Sequence, residues 1–600
     1  MVLIILRTKN PRNIVRSALK CKTDLQSLSR RSYGTSNVTS ATSSVAFKKN
    51  KWIKPSDTNP YVISSVLDIE PTFNVTIPEF LRSNLHKWEN APAFECAVTG
   101  RMYTHGQVHR KSQSFAAALK QHGLQRKEAV CILLPNIPEY PIVALGIWDA
   151  GLVASPINPT YTVAEIAKQV ADCGGKVLVT IPQFLPAVEK VMEESPTLKS
   201  VVVVGEAGGH HSFFDMLNTD VSSARFLRGS DINTLRETAV LPYSSGTTGT
   251  PKGVELTHST FTTNLMQITY PGYRLSEFFD GGAPQDRMFA LLPFFHMYGL
   301  QIIMANSLYQ GGHTLCFPKF EPASFIKGIK HHRPTVLHLV TPLISFLCQC
   351  PEITEEDLKH TRGTIAGAAP IGKTLIERFI AKFDQYMFFQ EGDFCLFRFW
   401  DDGAVQRQPL DSPRNEKLSS RSCGILVPGT TSKIVDNELG KVVGPHHTGE
   451  ICVRGPQVMK GYYQNEKATL DTIDSEGYMK TGDIGYYDEE GFLYIVDRLK
   501  ELIKVKGLQV APAELENVLR QHPDIADVAV IGIPHERWGE VPRAYVVPKS
   551  KTLTESAVNL FLDDKVAEHK RLVGGVEFID AIPKAASGKI LRRVLKSRFE

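Results

Sequence analysis

Six hundred residues exceed what one hydrophobic core organises, so the chain holds two or more domains. Hydrophobic residues at 42% and charged residues at 22% are ordinary globular proportions and argue against a disordered or fibrous chain. The net charge of +5 is small and gathers at the N-terminus, which leaves no footprint for nucleic acid, and no apolar run reaches the roughly 18 residues that span a bilayer. The cysteines are scattered without a C-x-x-C pair, and Cys348 and Cys350 are spaced for neither a zinc knuckle nor a redox motif.

Residues 1–50 carry Arg7, Lys9, Arg12, Arg16, Lys20, Lys22, Arg30, Arg31, Lys48 and Lys49 against one acid, Asp24. An Arg-rich, Ser-rich, acid-poor segment is the composition of a mitochondrial transit peptide, with a cut expected near Arg31 to Gly34. The expectation is import to the mitochondrial matrix, the alternative being a basic tail on a cytoplasmic protein. The ending Ser597-Arg-Phe-Glu600 is not a peroxisomal S-K-L address.

From about residue 110 helical and strand patterns alternate. Ser112–His122 and Tyr140–Ala150 read as helices, while Ala129–Leu134, Lys176–Thr180 and Ser200–Val204 read as short continuous apolar strands. That alternation predicts an α/β protein with parallel sheets covered on both faces. The apolar run Ala239-Val-Leu241 then leads into Tyr243-Ser-Ser-Gly-Thr-Thr-Gly-Thr-Pro-Lys-Gly-Val254. Glycines 246, 249 and 253 allow backbone N–H groups close approach to an oxyanion. The hydroxyls of Ser244, Ser245, Thr247 and Thr248 add donors, and Lys252 adds a point charge. This is a phosphate cradle whose spacing does not fit the Walker A loop.

The string resembles the phosphate-binding signature of the adenylate-forming superfamily, in particular 4-coumarate–CoA-ligase-like and luciferase-like acyl-CoA synthetases. The resemblance runs over roughly residues 75–600. It implies a large N-terminal domain of doubly wound sheets at 51–498 and a small mobile C-terminal α+β domain at 499–600. The substrates it implies are ATP, a small-molecule carboxylic acid and coenzyme A, with Mg2+ as cofactor; oligomeric state is left open. Ser244, Ser245, Gly246, Thr247, Thr248, Gly249 and Lys252 would cradle the phosphates.

Further motifs follow in the family's order. Leu291-Leu-Pro-Phe-Phe-His296-Met-Tyr298-Gly resembles its aromatic motif, in which His296 closes on the acyl carboxylate and Tyr298 lines the acyl pocket. Gly367, Ala368 and Ala369 follow an expected strand, Arg362–Ile365, and in the family this turn contacts adenine. Tyr478-Met-Lys-Thr-Gly-Asp483 ends in an aspartate expected after a turn, and Tyr494-Ile-Val-Asp-Arg498 ends a strand; by resemblance Asp483 and Arg498 hold the ribose. In Leu499 to Val510, Lys500 is the implied interdomain pivot. Lys504 and Gln509 would face the adenylate, and Lys506 and Gly507 would lie along the CoA path. Ala513–Arg520 reads as an amphipathic helix with Leu515, Val518 and Leu519 inward. Pro583-Lys-Ala-Ala-Ser-Gly-Lys589 matches the loop whose lysine bridges carboxylate and α-phosphate, so Lys589, His296 and Lys504 are the implied catalytic residues.

One motif departs. The family shows Q-G-Y-G-M-T-E, whose Thr and Glu bind phosphate and Mg2+, where this chain has Phe389-Gln-Glu-Gly-Asp-Phe-Cys-Leu-Phe-Arg-Phe-Trp-Asp-Asp-Gly-Ala404. No Thr-Glu pair occurs in it, so no metal ligand is assigned. Codons for Phe399-Trp-Asp-Asp-Gly read one base later permit Phe-Gly-Met-Thr-Glu, and Arg398 permits the preceding Gly. The expectation is a reading-frame displacement at this segment, and a near-inactive polypeptide in its present form, because the pyrophosphate leaving group lacks its neutralising ion. The alternatives are a nucleotide-binding homologue without catalysis and a luciferase-type oxidation of the acyl-adenylate.

Overall fold

The computed structural model describes residues 53–244, 251–270, 276–282, 284–367, 373–383, 387–390, 406–407, 424–499, 501–505, 508–535, 537–584 and 590–598. A nine-stranded sheet runs in the order Tyr243–Ser244, Lys252–Thr257, Thr238–Val240, Val153–Pro156, Ala129–Ile132, Val177–Thr180, Ser200–Val203 and His211–Ser212, with Gly461–Tyr462 added beside Lys252–Thr257. From Thr238–Val240 to His211–Ser212 all neighbours are parallel. Ala129–Ile132 explains why these strands read as unbroken apolar runs. Val130 and Ile132 enter one core, while Ala129 and Cys131 enter a second core beneath the helices Val163–Asp172 and Leu185–Glu194.

A seven-stranded sheet is ordered Met387–Gln390, Gly363–Gly367, Val336–Val340, Arg287–Ala290, His313–Cys316, Pro92–Cys96 and Met102–Thr104, parallel except for its last pair. A third, antiparallel sheet carries Thr431–Val435, Gly449–Arg454, Met479–Tyr487 and Leu493–Arg498. One buried core, from Ile53 through Val130, Phe289 and Leu337 to Ile434 and Met479, joins all three sheets. Beyond residue 500 a five-stranded sheet is built on the long hairpin Ile525–His535 and Gly539–Pro548. One of its faces holds Val528, Val530, Leu515 and Leu519, and the other holds Ala529, Ile531, Tyr545 and Leu595.

Four expectations change. The helix expected from Ser112 begins at His105, because Thr104 and Gln107 form a reciprocal capping box, Thr104 N–H donating to Gln107 Oε1 at 2.9 Å. The polar run His105 to Lys111 hid that first turn from a hydrophobic period. Asp483 does not follow a turn but lies inside the strand Met479–Tyr487, and the preceding Gly482 supplies the local break with φ +73°. The strand expected at Arg362–Ile365 spans Gly363–Gly367. Val518 is only partly buried, whereas Leu515 and Leu519 are fully buried. Among the described residues no helix is long and apolar enough to cross a membrane.

Candidate active site

Open parallel sheets leave their strand carboxyl ends facing a crevice, where ligands bind. Three of the four sequence segments of interest follow strands of the two parallel sheets. The first is the phosphate segment, whose two described ends pair as antiparallel strands. Tyr243–Ser244 runs antiparallel to Lys252–Thr257, with Tyr243 opposite Gly253 and Ser244 opposite Lys252. The hairpin base is anchored, since the Tyr243 hydroxyl donates to Asp172 at the end of the helix Val163–Asp172. Burial first, then the nearby Cys173 and Asp172, push the Tyr243 phenol up, so it stays a donor. Lys252 leaves the hairpin with Nζ 4.7 Å from the centre of the Tyr462 ring, a cation–π contact. Ser245, Gly246, Thr247, Thr248 and Gly249, and the Ser244 side chain, lie outside the described residues.

The second segment leaves the strand Arg287–Ala290 and carries His296 and Tyr298. Asn136, beyond the strand Ala129–Ile132 of the other sheet, grips it. Its Nδ2 donates to the carbonyls of Ala290 and Leu292, both at 2.9 Å, and its Oδ1 accepts the Phe294 N–H at 2.7 Å. Close backbone packing completes the fold of this loop: a Cβ on Gly299 would stand 2.1 Å from the Pro293 carbonyl oxygen. His296 is half-buried, and its Nδ1 accepts the Tyr298 N–H at 3.3 Å. Tyr298 opens the π-helical stretch Tyr298–Ala305 and is buried, its hydroxyl 2.6 Å from Nδ1 of His338.

His338 is buried on the strand Val336–Val340. Sequence reading passed over both Asn136 and His338. The available signals were an Asn directly after a strand and a lone imidazole inside an apolar strand. The third segment follows Gly367 at the end of Gly363–Gly367; Ala368 and Ala369 lie outside the described residues.

The fourth lies on the antiparallel sheet. Asp483 and Arg498 are directly opposite each other in the ladder of Met479–Tyr487 with Leu493–Arg498, so they share one face of the sheet. Asp483 is fully buried. A buried acid suits a ligand with vicinal hydroxyls, accepting from them; the Arg498 side chain lies outside the described residues. Past residue 500, the hairpin Ile503–Val505 with Leu508–Val510 sets Lys504 opposite Gln509. Lys504 is exposed, and its backbone N–H donates to Glu540 Oε2 at 2.9 Å. Lys500, Lys506, Gly507 and Lys589 lie outside the described residues.

Among the described residues no group of three or more His, Cys, Asp or Glu could hold a metal ion. The stretch 391–405, where the resemblance puts the Mg2+ carboxylate, is outside the described residues.

Comparison with known proteins supplies the family. Residues 81–463 match the AMP-binding enzyme family, and residues 514–589 match the AMP-binding enzyme C-terminal domain. 4-Coumarate–CoA ligase 2 of Nicotiana tabacum is 36% identical over 542 residues, covering 88% of this chain and 96% of that protein. 4-Coumarate–CoA ligase-like 1 of Arabidopsis thaliana is 35% identical over 559 residues, covering 90% and 97%. Among solved structures, ATP-bound MatB from Rhodopseudomonas palustris superposes with a TM-score of 0.77 at 26% identity, covering 88% of this chain and 99% of that one. The anthranilate CoA ligase AuaEII, in complex with anthranoyl-AMP, gives 0.75 at 25% identity, covering 88% and 98%. The chain therefore belongs to the AMP-binding enzyme family, the adenylate-forming acid–CoA ligases.

Proposed function

We propose that this chain is an ATP-dependent ligase that joins an aromatic or medium- to long-chain apolar carboxylic acid to coenzyme A. The observation that carries the proposal is the fully buried Asp483, an acceptor suited to ribose hydroxyls, at the ladder position opposite Arg498. In the first step the acid's carboxylate attacks the α-phosphate of ATP, giving acyl-AMP and pyrophosphate. Lys252 and the backbone around it meet the phosphates, His296 meets the carboxylate, and Lys589 bridges carboxylate and α-phosphate. In the second step the small domain turns about Lys500, Lys589 withdraws, and the CoA thiol attacks the acyl carbon with AMP leaving. No protein nucleophile is required; orientation and fixed charge carry both steps. The aromatic Tyr298 and its apolar neighbours favour an apolar acid. Mg2+ enters the proposal through the family resemblance alone.

Pyrophosphate release across a panel of aromatic and straight-chain acids tests this reading. Acid-dependent release followed by thioester formation supports it, and product analysis with and without oxygen separates it from a luciferase-type oxidation.

A second reading is a nucleotide-binding homologue without catalysis. The absence of a Thr-Glu pair between Gln390 and Ala404 favours it. The cDNA across codons 385–425, with peptide mass on the native protein, separates the two: Gly-Phe-Gly-Met-Thr-Glu there gives a complete enzyme, and the present sequence gives the silent one. The same proposal places the protein in the mitochondrial matrix, on the composition of residues 1–50.

A further inference from the structure

We infer that Asn136 is a positioning residue for acid activation, which it serves by fixing the backbone that delivers His296. The inference rests on the ligase reading of His296. Asn136 belongs to the nine-stranded sheet, following the strand Ala129–Ile132, while His296 belongs to the seven-stranded sheet, following the strand Arg287–Ala290. Nothing in the chain's order brings these ends together. The side-chain amide does, because it is a donor and an acceptor on one rigid plane. Its two donors reach Ala290 O and Leu292 O, and its acceptor takes Phe294 N–H. Asn136 is 5% exposed, so water does not compete for these bonds. Three backbone groups within five residues are thereby held from a single point, two residues before His296.

The ring of His296 is set by the next link. A ring nitrogen that accepts an N–H bond carries no proton, and Nδ1 accepts from Tyr298. That bond favours the tautomer with the ring proton on Nε2. A carboxylate about to attack phosphorus gains from a donor that orients it without taking its charge, and an Nε2–H directed by a fixed backbone is such a donor. No other residue type does what Asn136 does here. Aspartate keeps the acceptor for Phe294 but replaces Nδ2, the source of both donors, with a carboxylate oxygen facing the carbonyls of Ala290 and Leu292. Leucine fills the space and satisfies none of the three groups.

The test is a double-variant cycle on the full chain, using Asn136→Asp, His296→Ala and the two combined. The chain is saturated with α,β-methylene-ATP and titrated calorimetrically with cinnamate, benzoate and decanoate as probes, so no turnover is needed. If Asn136 acts through His296, Asn136→Asp weakens acid binding about tenfold, the size of one lost charge-assisted hydrogen bond, and has no further effect once His296 is Ala. Binding of the ATP analogue itself stays unchanged in all three variants. Multiplying losses in the combined variant overturn the inference, as does a parallel loss of nucleotide binding, since both mark a merely structural role. A null effect of His296→Ala on every acid that binds overturns the ligase reading of His296, and the inference with it. Absence of acid binding for all three probes contradicts the proposed activity.

Discussion

The hydroxyl of Tyr298 lies 2.6 Å from Nδ1 of His338, with the two rings edge to face at a centroid distance of 5.4 Å. Both residues are 2% exposed. The pair joins the helical segment after His296 to the next strand of the parallel sheet. Tyr298→Phe keeps the ring and removes the bond to a buried imidazole, so it should cost about 1–3 kcal/mol in urea unfolding. His338→Leu combined with Tyr298→Phe should cost less than the sum of the separate losses, because neither variant then strands a polar partner.

Asp483→Ala removes the acid registered opposite Arg498. A charged hydrogen bond is worth about 1.5–3 kcal/mol, so ATP affinity should fall by about 10- to 150-fold. Acid affinity measured with saturating nucleotide analogue should stay within experimental scatter. Equilibrium titration with a fluorescent ATP analogue reads the loss directly.

Arg592 makes two ion pairs after the Lys589 loop: Nε with Glu501 Oε2 at 2.9 Å and Nη1 with Glu516 Oε1 at 2.7 Å. Glu516 is nearly buried and also accepts the Val530 N–H at 2.9 Å. Arg592→Met removes the shorter of two ion pairs to that carboxylate, Arg520 Nη2 remaining at 3.3 Å, and should destabilise the small domain by about 1.5–3 kcal/mol. Glu501→Gln, at the more exposed partner, should cost about 1 kcal/mol or less. Chemical denaturation followed at Trp538, in the small-domain core, compares the two.

Acid should destabilise the fold through buried histidines. His258 is buried, its Nδ1 accepts the Ile77 N–H at 3.2 Å, and burial pulls its pKa down to about 3. Burial likewise pulls His105 down to about 4, against a smaller opposing bond to the Gly312 carbonyl. Both folded values lie below the unfolded value near 6.5, so the unfolded chain binds these protons first. Stability is therefore full above about pH 6.5 and falls as the pH drops through the window from 6.5 towards 4. Urea midpoints at pH 7.5, 6.0 and 5.0 should decline, and His258→Asn should make the decline shallower while lowering the value at pH 7.5.

The parallel strands were legible because burial on both faces leaves no polar alternation: Ala129–Ile132 and Val177–Thr180 are buried at every position. Tyr140–Asp149 was legible as a helix by length and apolarity. The start of His105–Gln121 was not, since a capping box and a polar first turn carry no hydrophobic period. Asp483 was misjudged as the end of a turn because Gly482 reads as punctuation, yet here it bends a continuous strand. The loop with His296 and Tyr298 announced itself by its string of aromatics. Its supports act far along the chain, Asn136 from the other sheet 158 residues away and His338 from the neighbouring strand 40 residues away, and local pattern carries no trace of such distances.

On the ligase reading, this chain keeps an acid–CoA ligase site and departs from the family's metal motif near residues 390–412. The measurement that tests it most directly is acyl-CoA formation, by mass spectrometry, from ATP, CoA and a panel of apolar acids. It compares the chain as written with the variant Arg398→Gly, Trp400→Gly, Asp401→Met, Asp402→Thr, Gly403→Glu. The account predicts acid-dependent AMP and thioester from the variant and almost none from the parent. Equal turnover by the parent, or none by the variant with any acid, would contradict it.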